Sequence, residues 1–216
     1  MMMLFWMALS ALGGMSVTGP LGIAVAVWLL AGRTWRLSLS WCLLFGFGML
    51  LVVATKIAWY GWGIGIPEWN FIGLSGHAMR ACAVYPVVFY LMFLKARPAA
   101  RHAALAAGTL LAVLISVSRL PVLAHSLSEI VLGGAVGLAV AAAFIVTARS
   151  EQPVVVGRVL AALCVPLVLA TPFVKPMPAE RWVRQVAMHL SGNEPVKRQW
   201  KLAPDHKRVQ KAGLAI

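Results

Sequence analysis

Apolar residues run along this chain in long blocks, and the segments outside them, connections and termini together, hold most of its glycine, proline and charge. The blocks lie near 20–31, 37–60, 75–94, 103–117, 125–148 and 159–174. A helix needs about 20 mainly apolar residues to cross a bilayer, and only a segment that satisfies its own backbone hydrogen bonds can do so. The pattern therefore predicts an all-α, polytopic transmembrane bundle of about six spans. The block at 20–31 is short by itself. The preceding MMMLFWMALSALGG either extends it or forms a separate interfacial or re-entrant helix over 1–19; no basic residue precedes the apolar run, which disfavours a cleaved signal peptide. The division that follows is an N-terminal helix at 1–19, a transmembrane domain at 20–174 and a basic tail at 175–216. Within the tail, Pro178 and Gly192 bracket a segment in which Trp182, Val183, Val186, Ala187 and Leu190 recur at helical spacing. That is the pattern of an amphipathic helix lying in the headgroup layer. Gly133 and Gly137, four apart within the fifth block, predict a close helix-packing contact.

Composition removes the soluble alternatives, since 61% of the 216 residues are hydrophobic and only 12% charged. Charge then orients the bundle. Arg33 and Arg36, then Lys95, Arg97 and Arg101, then Arg149 and Arg158 fall in alternate connections, which the positive-inside rule assigns to the cytoplasm. The opposite connections hold only Arg119 among lysines and arginines, so they should face the periplasm of a bacterial inner membrane. The net charge of +13 is partly a property of the tail, where Lys175, Arg181, Arg184, Lys197, Arg198, Lys201, Lys207, Arg208 and Lys211 cluster. Beside a bilayer such a segment attracts anionic lipid, and nothing in it resembles a nucleic-acid module. Cys42, Cys82 and Cys164 sit in apolar runs without metal-ligand spacing and read as small hydrophobes.

The outward connections carry the chemistry. In GLSGHAMRA, Ser75, Gly76 and His77 stand at the start of a span, where free backbone N–H groups favour an anion. In SRLPVLAHSLSE, Arg119 is followed by His125 and then by Glu129. With Pro121 in a first helical turn, His125 and Glu129 at i and i+4 would share a face, and the carboxylate would take one imidazole nitrogen and leave the other free to attack. Ser126-x-x-Glu129 also fits a capping box, which would give Glu129 a purely structural task. Lys56, near the outer end of the second block, adds a cation to the same rim, and Arg80 lies one turn beyond His77.

S-G-H followed about forty residues later by S-R-x5-H-x3-[D/E] resembles the second and third signature motifs of the type 2 phosphatidic acid phosphatase (PAP2) superfamily. The similarity runs roughly from Lys56 to Glu129. It implies a PAP2-like helical core in which His125 is the nucleophile, Glu129 its orienting carboxylate and His77 the acid for the leaving oxygen. Lys56, Ser75, Gly76 and Arg119 would hold the phosphate oxygens, and neither metal nor cofactor would be required. Three departures stand out: Gly63 and Ile64 occupy the places of the family's first-motif arginine and proline, Leu74 replaces the proline before the second motif, and Glu129 replaces aspartate. Arg80 is the candidate substitute for the missing arginine. The expected substrate is a lipid phosphate or diphosphate, such as undecaprenyl diphosphate, phosphatidic acid or phosphatidylglycerophosphate. A lipid phosphotransferase, or a non-catalytic protein that binds or moves phospholipid or recruits a partner, remains open, as does the oligomeric state.

Overall fold

Long apolar stretches fold here into helices, three of them with a proline inside (Pro20, Pro86 and Pro166), and the chain turns in the glycine-, proline- or charge-bearing segments between them. A computed structural model describes residues 2–149, 157–170, 177 and 179–196. Its helices are α1 (Met2–Leu12), α2 (Met15–Ala31), α3 (Trp35–Trp62), α4 (Gly76–Met92), α5 (Pro98–Val117), α6 (Leu127–Ala148), α7 (Gly157–Leu169) and α8 (Ala179–Ser191), with one 3-10 turn at Pro67–Trp69. Among the described residues the one β-type pairing is an isolated bridge between Ile66 and Phe71, so the fold is all-α as expected. The end of the sixth predicted span, Pro178 and the basic stretch from Lys197 lie outside the described residues.

Among the described residues four stretches are long and apolar enough to cross a membrane: Met2–Ala31, Trp35–Trp62, Pro98–Val117 and Leu127–Ala148. The other predicted spans correspond to α4, with 17 residues, and α7, with 13. The first break falls at Gly13 and Gly14, and α2 begins at Met15, so Pro20 lies inside a helix instead of opening one.

Helix α4 is the centre of the bundle. Nearly all of it is buried, and it packs most extensively on α5 and α6. Small residues make this possible, because helices in lipid gain from close backbone approach and not from expelling water. A Cβ at Gly133 would stand 2.7 Å from the Ser75 carbonyl oxygen, and one at Gly137 would stand 2.2 Å from that of Met79. Those two glycines let α6 touch the backbone of α4, as their spacing predicts. Polar ties within the apolar interior hold α2 to α3, where Trp41 Nε1 donates to the Gly22 carbonyl at 2.9 Å and Ser38 Oγ to that of Ala26 at 2.9 Å.

At one end of the bundle three irregular connections meet: the Gly13–Gly14 turn, the segment after α3, and the segment between α5 and α6. Gly63, at φ 70°, ends α3 in the left-handed conformation that glycine adopts without steric cost. Ser75 N–H donates to the Glu129 carbonyl at 3.1 Å, and Ser128 Oγ donates to the Trp69 carbonyl at 2.7 Å. The two connections that carry the sequence motifs are thus fastened together. Helix α8 closes the same end by packing on α3, with Ala187 buried against Gly61 and Tyr60 Oη donating to Glu180 Oε1 at 2.6 Å. Trp182, Val186 and Leu190 remain exposed on the outer side of α8.

Candidate active site

Two helix starts and one loop converge at this end. Ser75 caps α4, its Oγ accepting from Ala78 N–H at 3.4 Å, which leaves the first turn of α4, with Gly76 and His77, facing a cavity of about 200 Å³. Lys56 from α3, Arg80 from α4, and Arg119 and His125 from the α5–α6 connection line the same cavity. Of the residues expected to contact phosphate, all but Ser75 line it; Ser75 is fully buried beneath, with its hydroxyl engaged in capping.

His125 and Glu129 meet, but not along a helix face. Pro121 is not helical; α6 starts only at Leu127, with Ser126 as N-cap, so His125 precedes the helix. The contact arises from the cap itself. Ser126 Oγ accepts from Glu129 N–H at 3.4 Å, and Glu129 Oε2 reaches back to accept from Ser126 N–H at 3.2 Å while lying 2.6 Å from His125 Nδ1. The other carboxylate oxygen, Oε1, accepts from Ile72 N–H at 3.2 Å. The capping box and the histidine contact, which the sequence offers as alternatives, are therefore one arrangement. Glu129 is fully buried behind His125, and the bond at Nδ1 leaves Nε2 as the nitrogen available to a reacting group. Burial pushes the His125 imidazole below its ordinary range, with the Glu129 hydrogen bond acting in the opposite direction.

The arginines are held from the N-terminal side. Arg80 is buried; its Nε donates to Thr18 Oγ1 at 3.1 Å and its Nη2 to the Gly13 carbonyl at 3.3 Å. An intramembrane arginine is tolerable only with such partners. Its Nη1 lies beneath the start of α4, where a Cβ at Gly76 would come within 2.9 Å of it. Arg119 Nη1 donates to Ser10 Oγ, while Arg119 Nε is buried and has no hydrogen-bond partner among the described residues. Burial lowers the pKa of Arg119, and the Glu180 carboxylate opposes that effect.

Sequence reasoning missed the acidic group at this rim. Glu180, from α8, lines the cavity, and its Oε2 stands 3.6 Å from Lys56 Nζ. Burial would raise its pKa, but Lys56, the Tyr60 hydroxyl and Arg184 outweigh that and hold it at about 2. No motif marks Glu180, and Ser10, Gly13 and Thr18 are likewise unmarked in the sequence. The arrangement as a whole is an anion site: Lys56, Arg80, Arg119, two imidazoles and a helix N-terminus face one small space, with a braced histidine on its wall.

The family model for the PAP2 superfamily matches residues 54–152. The chain is also 36% identical over 170 residues, covering 76% of its own length and 81% of the relative, to an uncharacterized 22.5 kDa protein in the cps region of Klebsiella pneumoniae. The chain belongs to the PAP2 superfamily. No solved structure matches it significantly. Superfamily membership makes this a phosphatase of phosphate esters, and the four apolar spans make it an integral membrane protein. The match contains Lys56, His77, Arg80, Arg119, His125 and Glu129. Ser10, Gly13, Thr18 and Glu180 lie outside it, so this PAP2 protein completes its cavity with parts beyond the matched segment.

Proposed function

We propose that this PAP2 protein removes phosphate from a membrane lipid phosphate or diphosphate through a phosphohistidine intermediate on His125. The observation that carries this reading is the braced nucleophile in a cationic cavity: His125 Nδ1 bound to buried Glu129 at 2.6 Å, beside Lys56, Arg80 and Arg119. Neutral His125 uses its Nε2 lone pair to form a P–N bond. The ester P–O bond breaks in line, its electron pair goes to the departing oxygen, and protonated His77 supplies the proton. Charge on the three equatorial oxygens is met by the arginines, Lys56 and the N–H groups that open α4. Water then attacks phosphorus, gives its proton to His77, and releases phosphate and neutral His125.

Arg80 takes the place of the absent first-motif arginine in this scheme. Its support is positional: it lines the cavity and is held there by Thr18 and the Gly13 carbonyl. Fixed cations and N–H groups do the work that a metal ion would otherwise do at a transferring phosphoryl group, so turnover is metal-independent. The site opens at the outer leaflet of a bacterial inner membrane, a reading that rests on the cytoplasmic assignment of the arginine-rich connections. The exposed Trp182, Val186 and Leu190 face of α8, with the basic tail beyond it, associates with anionic lipid.

The test is phosphate release from a panel of lipid phosphates by purified full-length protein, with and without EDTA. Activity should survive EDTA, and a brief reaction with radiolabelled substrate should leave an acid-labile, alkali-stable phosphoenzyme that His125→Ala lacks. Loss of activity in EDTA would refute metal independence. Wild-type turnover by the folded His125→Ala protein would refute the nucleophile.

A further inference from the structure

Beyond His77 the phosphate cavity adjoins a second and larger one of about 380 Å³. His77 and Arg119 line both, whereas Lys56, Arg80 and His125 line only the first of the two. Met7, Ala11, Val17 and Val122 contribute apolar walls to the second cavity. It lies between the N-terminal helices and the α5–α6 connection, and Arg119 supplies its only lysine or arginine side chain among the described residues.

In-line displacement gives this layout a direction. The new bond forms on the His125 side, so the broken bond points away from it, toward the group that protonates the leaving oxygen. Whatever is attached to that oxygen must continue past His77. We infer that the second cavity receives the leaving group, and that this group is a lipid alcohol whose first units beyond the scissile oxygen are uncharged hydrocarbon. The inference rests on the phosphatase reading of the adjoining site. Three features agree on the occupant. Apart from His77 and Arg119 at the junction, the polar side chains of its wall are Ser10, whose hydroxyl accepts from Arg119, and Ser16, whose hydroxyl accepts from Met177 N–H, so a sugar or a charged headgroup would meet mostly apolar wall. Arg119, whose buried Nε–H has no hydrogen-bond partner among the described residues, stands at the junction where the departing oxygen would carry charge. Met3, Leu4, Phe5 and Met7 are exposed along α1, which continues the apolar surface outward from the cavity. A hydrocarbon chain can thus reach the bilayer without crossing the cationic side.

Helix α1 lies outside the segment that matches the superfamily, so the leaving-group site is built partly from chain beyond that segment, with Val122 and Arg119 contributed from within it. Selection among lipid alcohols would then sit in Met7, Ala11 and Val122 and not in the phosphate-binding residues.

The experiment uses full-length protein in detergent and two substrates, a long-chain prenyl phosphate and p-nitrophenyl phosphate. Ala11→Phe and, on a different element, Val122→Phe fill the cavity. Each should lower the ratio of kcat/KM for the prenyl over the nitrophenyl ester by about tenfold or more, the scale on which a hydrophobic pocket discriminates. Unchanged ratios in both filled variants, or equal loss on both substrates, would overturn the assignment. A second arm does not need turnover: a prenyl phosphate with a diazirine near its head should label the α1 peptide that holds Met7 and Ala11, and label confined to other helices would overturn the assignment. Wild-type protein that labels α1 yet releases no phosphate would refute the phosphatase reading and leave the chain site standing.

Discussion

Glu129→Gln separates the two tasks that one carboxylate performs here. Glu129 is fully buried and accepts three hydrogen bonds, from His125 Nδ1–H and Ser126 N–H at Oε2 and from Ile72 N–H at Oε1. Glutamine has only one acceptor oxygen. If that oxygen keeps His125 and Ser126, the amide N–H₂ faces Ile72 N–H, two donors with no acceptor, which costs about 1–3 kcal/mol of stability. On the proposed mechanism catalysis loses more than a contact, because the carboxylate would balance the positive charge that the imidazole gains as the P–N bond forms. A hydrogen bond to a charged group is worth about 1.5–3 kcal/mol net, and at about 1.4 kcal/mol per factor of ten this predicts a fall in kcat of roughly 10- to 150-fold. The pH profile supplies an independent sign. Burial lowers the His125 pKa and the Glu129 contact raises it, so His125 stays neutral and nucleophilic below the usual histidine range and is lost as pH falls through its own pKa. Removing the charge of Glu129 should move that acid limb to still lower pH while reducing the plateau. The assay is kcat/KM against pH with a water-soluble phosphate ester, together with thermal unfolding in the same detergent. A variant with lowered stability but kcat within twofold of wild type, and an unmoved acid limb, would make Glu129 a helix cap alone.

Other substitutions probe the remaining wall of the cavity. His77→Ala should slow alkyl phosphates by about 10²–10⁴, the usual range for general acid catalysis, and p-nitrophenyl phosphate much less; equal losses across leaving groups would contradict the proton-donor role. Arg80→Met should lower kcat/KM by roughly 10- to 150-fold, and Arg80→Lys should not restore it, since an ammonium cannot span both Thr18 Oγ1 and the Gly13 carbonyl while facing the cavity. A fully active lysine variant would show that charge alone matters there. Glu180→Gln removes the anion 3.6 Å from Lys56 and should strengthen competitive inhibition by inorganic phosphate about two- to fivefold, the range expected for a half-exposed pair; weaker inhibition would mean that Glu180 positions Lys56 instead of competing for it.

Features that depend on local pattern were legible in the chain, and features that depend on packing were not. The apolar blocks mark the helices because membrane burial acts on every residue of a span, and Gly133 and Gly137 mark the contact between α4 and α6 because backbone approach needs two small residues one turn apart. The motif residues can be gathered from spacing since all but Lys56, which lies toward the end of α3, stand at a helix start or in a short connection. The break at Gly13 and Gly14 was not placed, because an apolar run on both sides hides where the helix turns. The sequence points to the His125 and Glu129 contact through a shared helix face, at i and i+4, and offers the Ser126-x-x-Glu129 capping box as a competing role; with the N-cap at Ser126 the box itself brings the carboxylate to His125. Arg80 shows the limit most clearly. Its partners, Thr18 and Gly13, lie on another helix and its turn, and nothing local records them.

Those distant partners bear on how the cavity works. Positive groups confined in so small a space repel one another and are costly to bury, so each needs a counterpart when no phosphate is bound. Arg80 has Thr18 and a carbonyl, which are neutral and need not leave when an anion arrives. Arg119 has Ser10, also neutral, and keeps an Nε–H in reserve. Lys56 differs, because it faces a full negative charge on Glu180. A dianionic phosphate approaching Lys56 must outcompete that carboxylate, whose ties to Tyr60 and Arg184 give it a place to remain once Lys56 turns away. In the proposed function the arginines are therefore preorganised for phosphate, whereas the lysine exchanges one anion for another. On this reading binding at the lysine side is coupled to the position of α8, a helix outside the matched PAP2 segment that lines the cavity through Glu180.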